Sequence, residues 1–178
     1  VRIISVGKDG FDKITPKVVK GLMERGISIK LDRENESLEY GCDDPYIELK
    51  AKDVLTAVVL GIKEQRFQDA ALSLFSDSFV LKIVDLSEVL GSKEDIHRVL
   101  SRIIGTNGKT KRIMEEITET NITISDNKIL IIGMPEGVGL ASDAINAIIR
   151  GSPHKKVYRL LEAGRRKIKE ARMKLWND

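Results

Sequence analysis

Cysteine is all but missing from this sequence: Cys42 is the only one in 178 residues. An intrachain disulfide is excluded, and a reducing, cytoplasmic setting is the expected one. Histidine is scarce as well. His97 and His154 stand alone, without the cysteine, serine or carboxylate spacing of a zinc site or a catalytic triad. No apolar run approaches the roughly 20 residues that span a bilayer. The opening Val1-Arg2-Ile3-Ile4 also lacks the charged-then-apolar layout of a signal peptide. Val1 stands where an initiator methionine is expected, so a few residues are expected to precede it. What is present describes a folded chain, 42% apolar and 32% charged, long enough for one or two domains.

The net charge is only +3, from 30 basic and 27 acidic residues, but it is unevenly spread. Residues 150–178 hold ten Lys or Arg against three acids, a net of +7 that leaves −4 for the first 149. A basic tail on a mildly acidic body fits contact with nucleic acid or an acidic partner, and it equally fits a solvated helix face.

The chain repeats itself. Ala57-Val58-Val59-Leu60-Gly61 matches Ala147-Ile148-Ile149-Arg150-Gly151 at an offset of 90, and Leu22-Met23-Glu24 matches Ile113-Met114-Glu115 at 91. In the second copy the periodicity predicts a strand over 79–86, helices over 95–104 and 109–118, strands over 121–125 and 128–133, and a helix over 138–150. Gly105-Thr106-Asn107-Gly108 separates the first two helices. The first copy reads the same way: a strand over 1–6, helices over 9–14 and 17–25, strands over 27–31 and 37–40, and a helix over 50–61. Each copy gains a helix, 65–76 and 155–176. In the last of these Val157, Leu161, Gly164, Ile168, Ala171 and Leu175 form one stripe that must pack on something.

Glycine tolerates positive φ and lets another backbone approach, and a loop that feeds a helix N-terminus suits a phosphate. Arg102, Lys109, Lys111 and Arg112 surround the Gly105–Gly108 loop. Ile103, Ile104, Ile122 and Ile124 offer an apolar floor for bases, a combination that suits a single strand better than a duplex. A bare GxxG also fits a plain helical corner. The order strand, helix, GxxG, helix, strand, strand, helix favours a type I KH module, whose loop clamps a nucleic-acid backbone.

The run from Arg102 to Thr118 (RIIGTNGKTKRIMEEIT), with Lys128–Gly133 and Ser152–Glu162, resembles the second KH domain of the Partner-of-Nob family, the archaeal and eukaryotic KH factors of small-ribosomal-subunit assembly. The likeness is strong over 79–176 and weaker, though in register, before it. No long acidic leader is present, so the short archaeal form is expected. The resemblance implies a non-enzymatic RNA-binding protein on the 3′ region of small-subunit ribosomal RNA. It also implies the Nob endonuclease, the dimethyladenosine transferase and the alpha subunit of initiation factor two as partners, and neither cofactor nor metal. Most KH modules carry an apolar residue where this sequence has Lys111, which is expected either to face solvent or to meet a phosphate. In the first copy Gly7-Lys8-Asp9-Gly10 lies a helix too early, and Thr15-Pro16-Lys17 occupies the loop position, so no clamp is expected there.

Other motifs fall short. Gly108-Lys109-Thr110 ends like a P-loop, but Ile103 replaces its first glycine and no strand leads in. Gly137-Val138-Gly139 lacks the third glycine of a dinucleotide fold, where Ser142 stands. The pairs Asp43-Asp44 and Glu115-Glu116 read as solvated surface. Tyr158 and Trp176 fit stacking or packing alike. The expectation is an α+β chain of two tandem type I KH domains: 1–78 without a clamp, and 79–178 with the clamp and a basic C-terminal helix. Gly105, Thr106, Asn107 and Gly108 would grip the backbone, while Arg165, Arg166 and Lys169 extend the contact. The alternative is a protein-interaction adaptor that does not itself bind RNA specifically.

Overall fold

The computed structural model describes residues 1–177. The first half comprises β1 (Arg2–Ser5), α1 (Gly7–Gly10) running into a 3-10 turn at Phe11–Lys13, α2 (Pro16–Met23), β2 (Ser28–Asp32), β3 (Ser37–Gly41), α3 (Pro45–Leu60) and α4 (Gln65–Ser73). The second comprises β4 (Val80–Asp85), α5 (Lys93–Ile104), α6 (Lys109–Thr118), β5 (Asn121–Ser125), β6 (Lys128–Gly133), α7 (Pro135–Ile149) and α8 (His154–Asn177). Each half holds one antiparallel three-stranded sheet, in the orders β1-β3-β2 and β4-β6-β5. The two halves thus share element order and sheet order.

Helix starts depart most from the sequence reading, because caps and prolines decide them. α3 begins at Pro45 and not at 50: the Asp44 carboxylate accepts the N–H groups of Tyr46 and Ile47 at 2.8 and 3.3 Å, and proline needs no partner at the first helical position. Asp44 is therefore a helix cap and not idle surface. α7 likewise begins at Pro135. Ser92 opens α5 by accepting the N–H of Asp95 at 3.1 Å. Gly7–Gly10 lies inside α1, ahead of the α1–α2 junction at Ile14–Thr15. Gly10 is a packing glycine, since a Cβ there would sit 2.6 Å from Val6 Cγ1.

The run Lys128-Ile-Leu-Ile-Ile-Gly133 is apolar without alternation because β6 is buried on both faces. Ile129 and Ile131 join Val99, Ile103, Met114 and Ile145 in one core. Leu130 and Ile132 point the other way and join Phe67, Ala71 and Leu74 of the first half, with Phe79 and Leu81 alongside. One hydrophobic cluster therefore crosses the expected boundary at 78/79. The helix that carries it is α4, which lies on β5 and β6. Buried Gln68 pins α4 in place: its amide donates to Lys13 O at 2.7 Å and accepts the Thr15 hydroxyl at 2.5 Å.

α8 packs along α6 and α7. Val157 and Leu161 are fully buried, and Gly164 lets Leu140 approach so closely that a Cβ would lie 2.3 Å from it. The expected stripe ends at Ile168. Ala171 and Leu175 are exposed, because the last turns are held by charge instead. Arg172 pairs with Glu136 at 3.0 Å and Glu119 at 3.6 Å. The N–H of its own residue, and then Arg172, hold the Glu136 carboxyl below the usual carboxylate range.

Truncating Leu130 to Ala is expected to cost about 2–4 kcal/mol in a denaturant titration, with both halves still unfolding in one transition. The Glu136 carboxyl has a lowered folded pKa, so its contribution is complete above the ordinary value of about 4.3 and is lost as pH falls through the folded value. The protection of amides in residues 169–176, taken against their intrinsic exchange rate at each pH, is accordingly expected to fall on acidification before the rest of α8 loosens, and Arg172→Ala is expected to lower that protection in the same way at neutral pH.

Candidate nucleic-acid interface

The Gly105–Gly108 loop is built from backbone that side chains resist. Gly105 has φ 72 and ψ 178, Asn107 has φ 53, and Gly108 has φ 74. A Cβ on Gly105 would fall 2.2 Å from the Thr110 hydroxyl, whereas one on Gly108 would meet open space. Thr106 and Asn107 are exposed. The turn is closed by Gly108 N–H donating to Gly105 O at 3.2 Å, and Arg112 steadies it by donating to Asn107 O at 3.2 Å. No side chain caps α6; the Lys109 N–H is taken by Thr106 O, and the start of the helix presents the positive end of its dipole at the loop. Exposed Lys109 and Arg112 flank them. This arrangement can hold a phosphate or another compact anion against backbone.

The remaining candidates divide by placement. Arg102 turns inward: its guanidinium donates to Ile148 O at 3.1 Å and to Ser152 O, tying down the α7–α8 turn. Its own carbonyl meets His154 Nε2 at 2.9 Å, a contact that adds to the same turn. Ile103 and Ile122 are fully buried and cannot floor a base; Ile104 and Ile124 remain partly open at the rim. Lys111 takes neither expected course. It is half-buried and pairs at 3.2 Å with Glu115, which is itself buried.

On α8, Arg166 and Lys169 are exposed, and Lys169 joins the less exposed Arg165 in lining a crevice with Ile117, Thr118 and Gly137. That crevice is at the far end of α6, about 15 Å from the loop by helix rise. The start of α8 is the part that meets the loop. The Tyr158 hydroxyl lies 3.1 Å from Thr110 Oγ1, and Lys155 and Arg159 stand beside it around a shallow depression. The sequence reading passed over Lys155 and Arg159. Their four-residue spacing around Tyr158 was the available signal. Among the described residues no group of three or more His, Cys, Asp or Glu is placed to hold a metal ion, and no helix is long and apolar enough to cross a membrane.

Gly105→Ala is expected to destabilise more than Gly108→Ala in thermal unfolding. The second costs about 1–2 kcal/mol for a left-handed alanine. The first adds a clash with Thr110 in a region open essentially to glycine alone.

A family model described as a eukaryotic-type KH domain (KH-domain type I), the second of PNO1 proteins, matches residues 80–166. The KH domain-containing protein MJ0443 of Methanocaldococcus jannaschii is 33% identical over 99% of this chain and 79% of its own length. RNA-binding protein PNO1 of Oryzias latipes is 34% identical over 77% of this chain, which spans about half (53%) of that longer protein. Among solved structures, APE0754 from Aeropyrum pernix superposes with a TM-score of 0.89 at 30% identity, covering 99% of this chain and 96% of its own. A chain of the a/eIF2alpha-aDim2p-rRNA complex from Pyrococcus horikoshii superposes with a TM-score of 0.81 at 27% identity, covering 93% and 94%.

Proposed function

Because the chain belongs to the PNO1 (Partner-of-Nob) family of KH-domain proteins, we propose that it is a ribosome-assembly factor that holds single-stranded small-subunit rRNA near its 3′ end. The observation that carries this reading is the surface loop Gly105–Gly108, whose positive φ angles bring bare backbone and the uncapped start of α6 to one place between Lys109 and Arg112. A backbone-lined notch beside a sheet edge fits a flexible strand with splayed bases better than a stiff duplex. In this reading Thr106 and Asn107 touch the sugar-phosphate chain, Lys109 and Arg112 meet phosphates, and Ile104 and Ile124 border the bases. Lys155, Arg159, Arg166 and Lys169 extend the basic track along α8, while Arg102, Arg165 and Ile122 support it from within.

The first half, 1–78, is then a KH domain without its clamp, and the second, 79–178, the RNA-binding one. The chain acts by binding, not by catalysis, in the cytoplasm. The Pyrococcus complex names rRNA and a/eIF2alpha beside aDim2p, which supports the same two partners here; the Nob endonuclease and the dimethyladenosine transferase complete the proposed set. A second reading, a protein adaptor, draws on the first half: Ile14, Pro16, Val19 and Met23 line an open apolar groove where the clamp is missing.

A labelled RNA matching the small-subunit 3′ end, titrated across a salt series, tests the proposal. Wild type is expected to bind with a steep salt slope. Thr106→Asp/Asn107→Asp, still folded, is expected to lose about tenfold or more, and Lys109→Ala to lower the slope by about one. Unchanged binding by the double variant would remove the loop from the site. No binding by wild type would favour the adaptor.

A further inference from the structure

Glu115 brings three parts of the molecule together at one carboxylate. The residue is buried, with its side chain 5% exposed, on α6. One oxygen, Oε1, accepts the N–H of Ile122 at 2.8 Å. The other, Oε2, pairs with Lys111 at 3.2 Å and with Arg66 at 3.6 Å. Ile122 belongs to β5, the edge strand, and its N–H points outward because a side chain and not β6 receives it. Arg66 belongs to the first turn of α4, in the other half of the chain. α4 and α6 both pack against β5, with α4 also on Leu130 and Ile132 and α6 in the opposite core with Ile129 and Ile131. Arg66 therefore reaches round the sheet edge to a carboxylate on the far side.

We infer that Arg66, Glu115 and Lys111 form a clasp that couples the first half to the RNA groove, with Glu115 and Arg66 acting as positioning residues and Lys111 as part of the clasp. This rests on the RNA-binding reading above and adds how that site is set. In that reading the RNA lies between the loop leading into α6 and the β5 edge, and the clasp ties α6 to that edge through Ile122 and to α4 through Arg66. A carboxylate so deeply buried needs its partners, since an unpaired charge there would be strongly unfavourable. The sequence pairing is consistent: Lys111 stands where KH modules usually have an apolar residue, and its charge has an internal partner four residues on.

The test uses the full chain with Arg66→Ala, Glu115→Gln and both together. Arg66 is 64% exposed, and Gln keeps an acceptor for the Ile122 amide, so each variant is compatible with the fold. Each single variant is expected to lower affinity for the 3′-end RNA about three- to tenfold with the salt slope unchanged, and the double variant to be no worse than Glu115→Gln alone. Without RNA, the Ile122 amide is expected to exchange faster in all three. A slope reduced by about one in Arg66→Ala would make Arg66 a phosphate contact and overturn the inference. Affinity equal to wild type, or fully additive losses, would overturn it as well. If wild type itself fails to bind RNA, the RNA reading falls; unchanged Ile122 exchange in the RNA-free variants would then overturn the clasp separately.

Discussion

The double burial of β6 is the constraint on which the rest depends. A three-stranded sheet with helices on one face leaves its other face bare, and an apolar Leu130 and Ile132 there would be exposed. α4 covers them, which is why the chain carries an extra helix after its first repeat and why the halves share a core. The cover also sets orientation. With one face of the second sheet closed by α4, helices α5 and α6 occupy the other, and the loop between them is left at the surface.

That loop is made mostly of backbone. Positive φ at Gly105, Asn107 and Gly108 and the start of α6 without a side-chain cap give it the form of an anion site, with charge supplied by Lys109 and Arg112. The other basic side chains that surround it in sequence are committed elsewhere. Arg102 satisfies carbonyls at the α7–α8 turn, and Lys111 answers a buried carboxylate. Charge density in the sequence thus overstates the charge available to a ligand. α8 supplies part of the difference, bringing Tyr158 against Thr110 and Lys155 and Arg159 beside it.

Much of this was legible in the residues. Alternation and helical spacing gave every strand and the order of the helices, and both strands at 121–125 and 128–133 fall where the pattern put them. The helix starts were not, because Asp44 and Pro45 read as a turn until the cap geometry is known. The α8 stripe failed past Ile168 for a related reason: Ala171 and Leu175 keep the period, but no surface remains for them, and Arg172 anchors that part by ion pairs. Glu115 read as solvated because charge and neighbour alone say nothing of burial. Only the approach of Arg66, 49 positions earlier in the chain, and the amide of Ile122 disclose its place. Ile122 was misplaced as a base contact for the same reason, since strand alternation does not say which face is the groove.

The measurement that bears most directly on the account is an amide-exchange map of the full chain with and without single-stranded RNA of the small-subunit 3′ end. The account predicts that protection gained on binding centres on residues 105–112 and on the edge strand around Ile124, with a weaker trace at the start of α8. Protection confined to the first half, or to the distal turns of α8, with the Gly105–Gly108 loop unchanged, would contradict it.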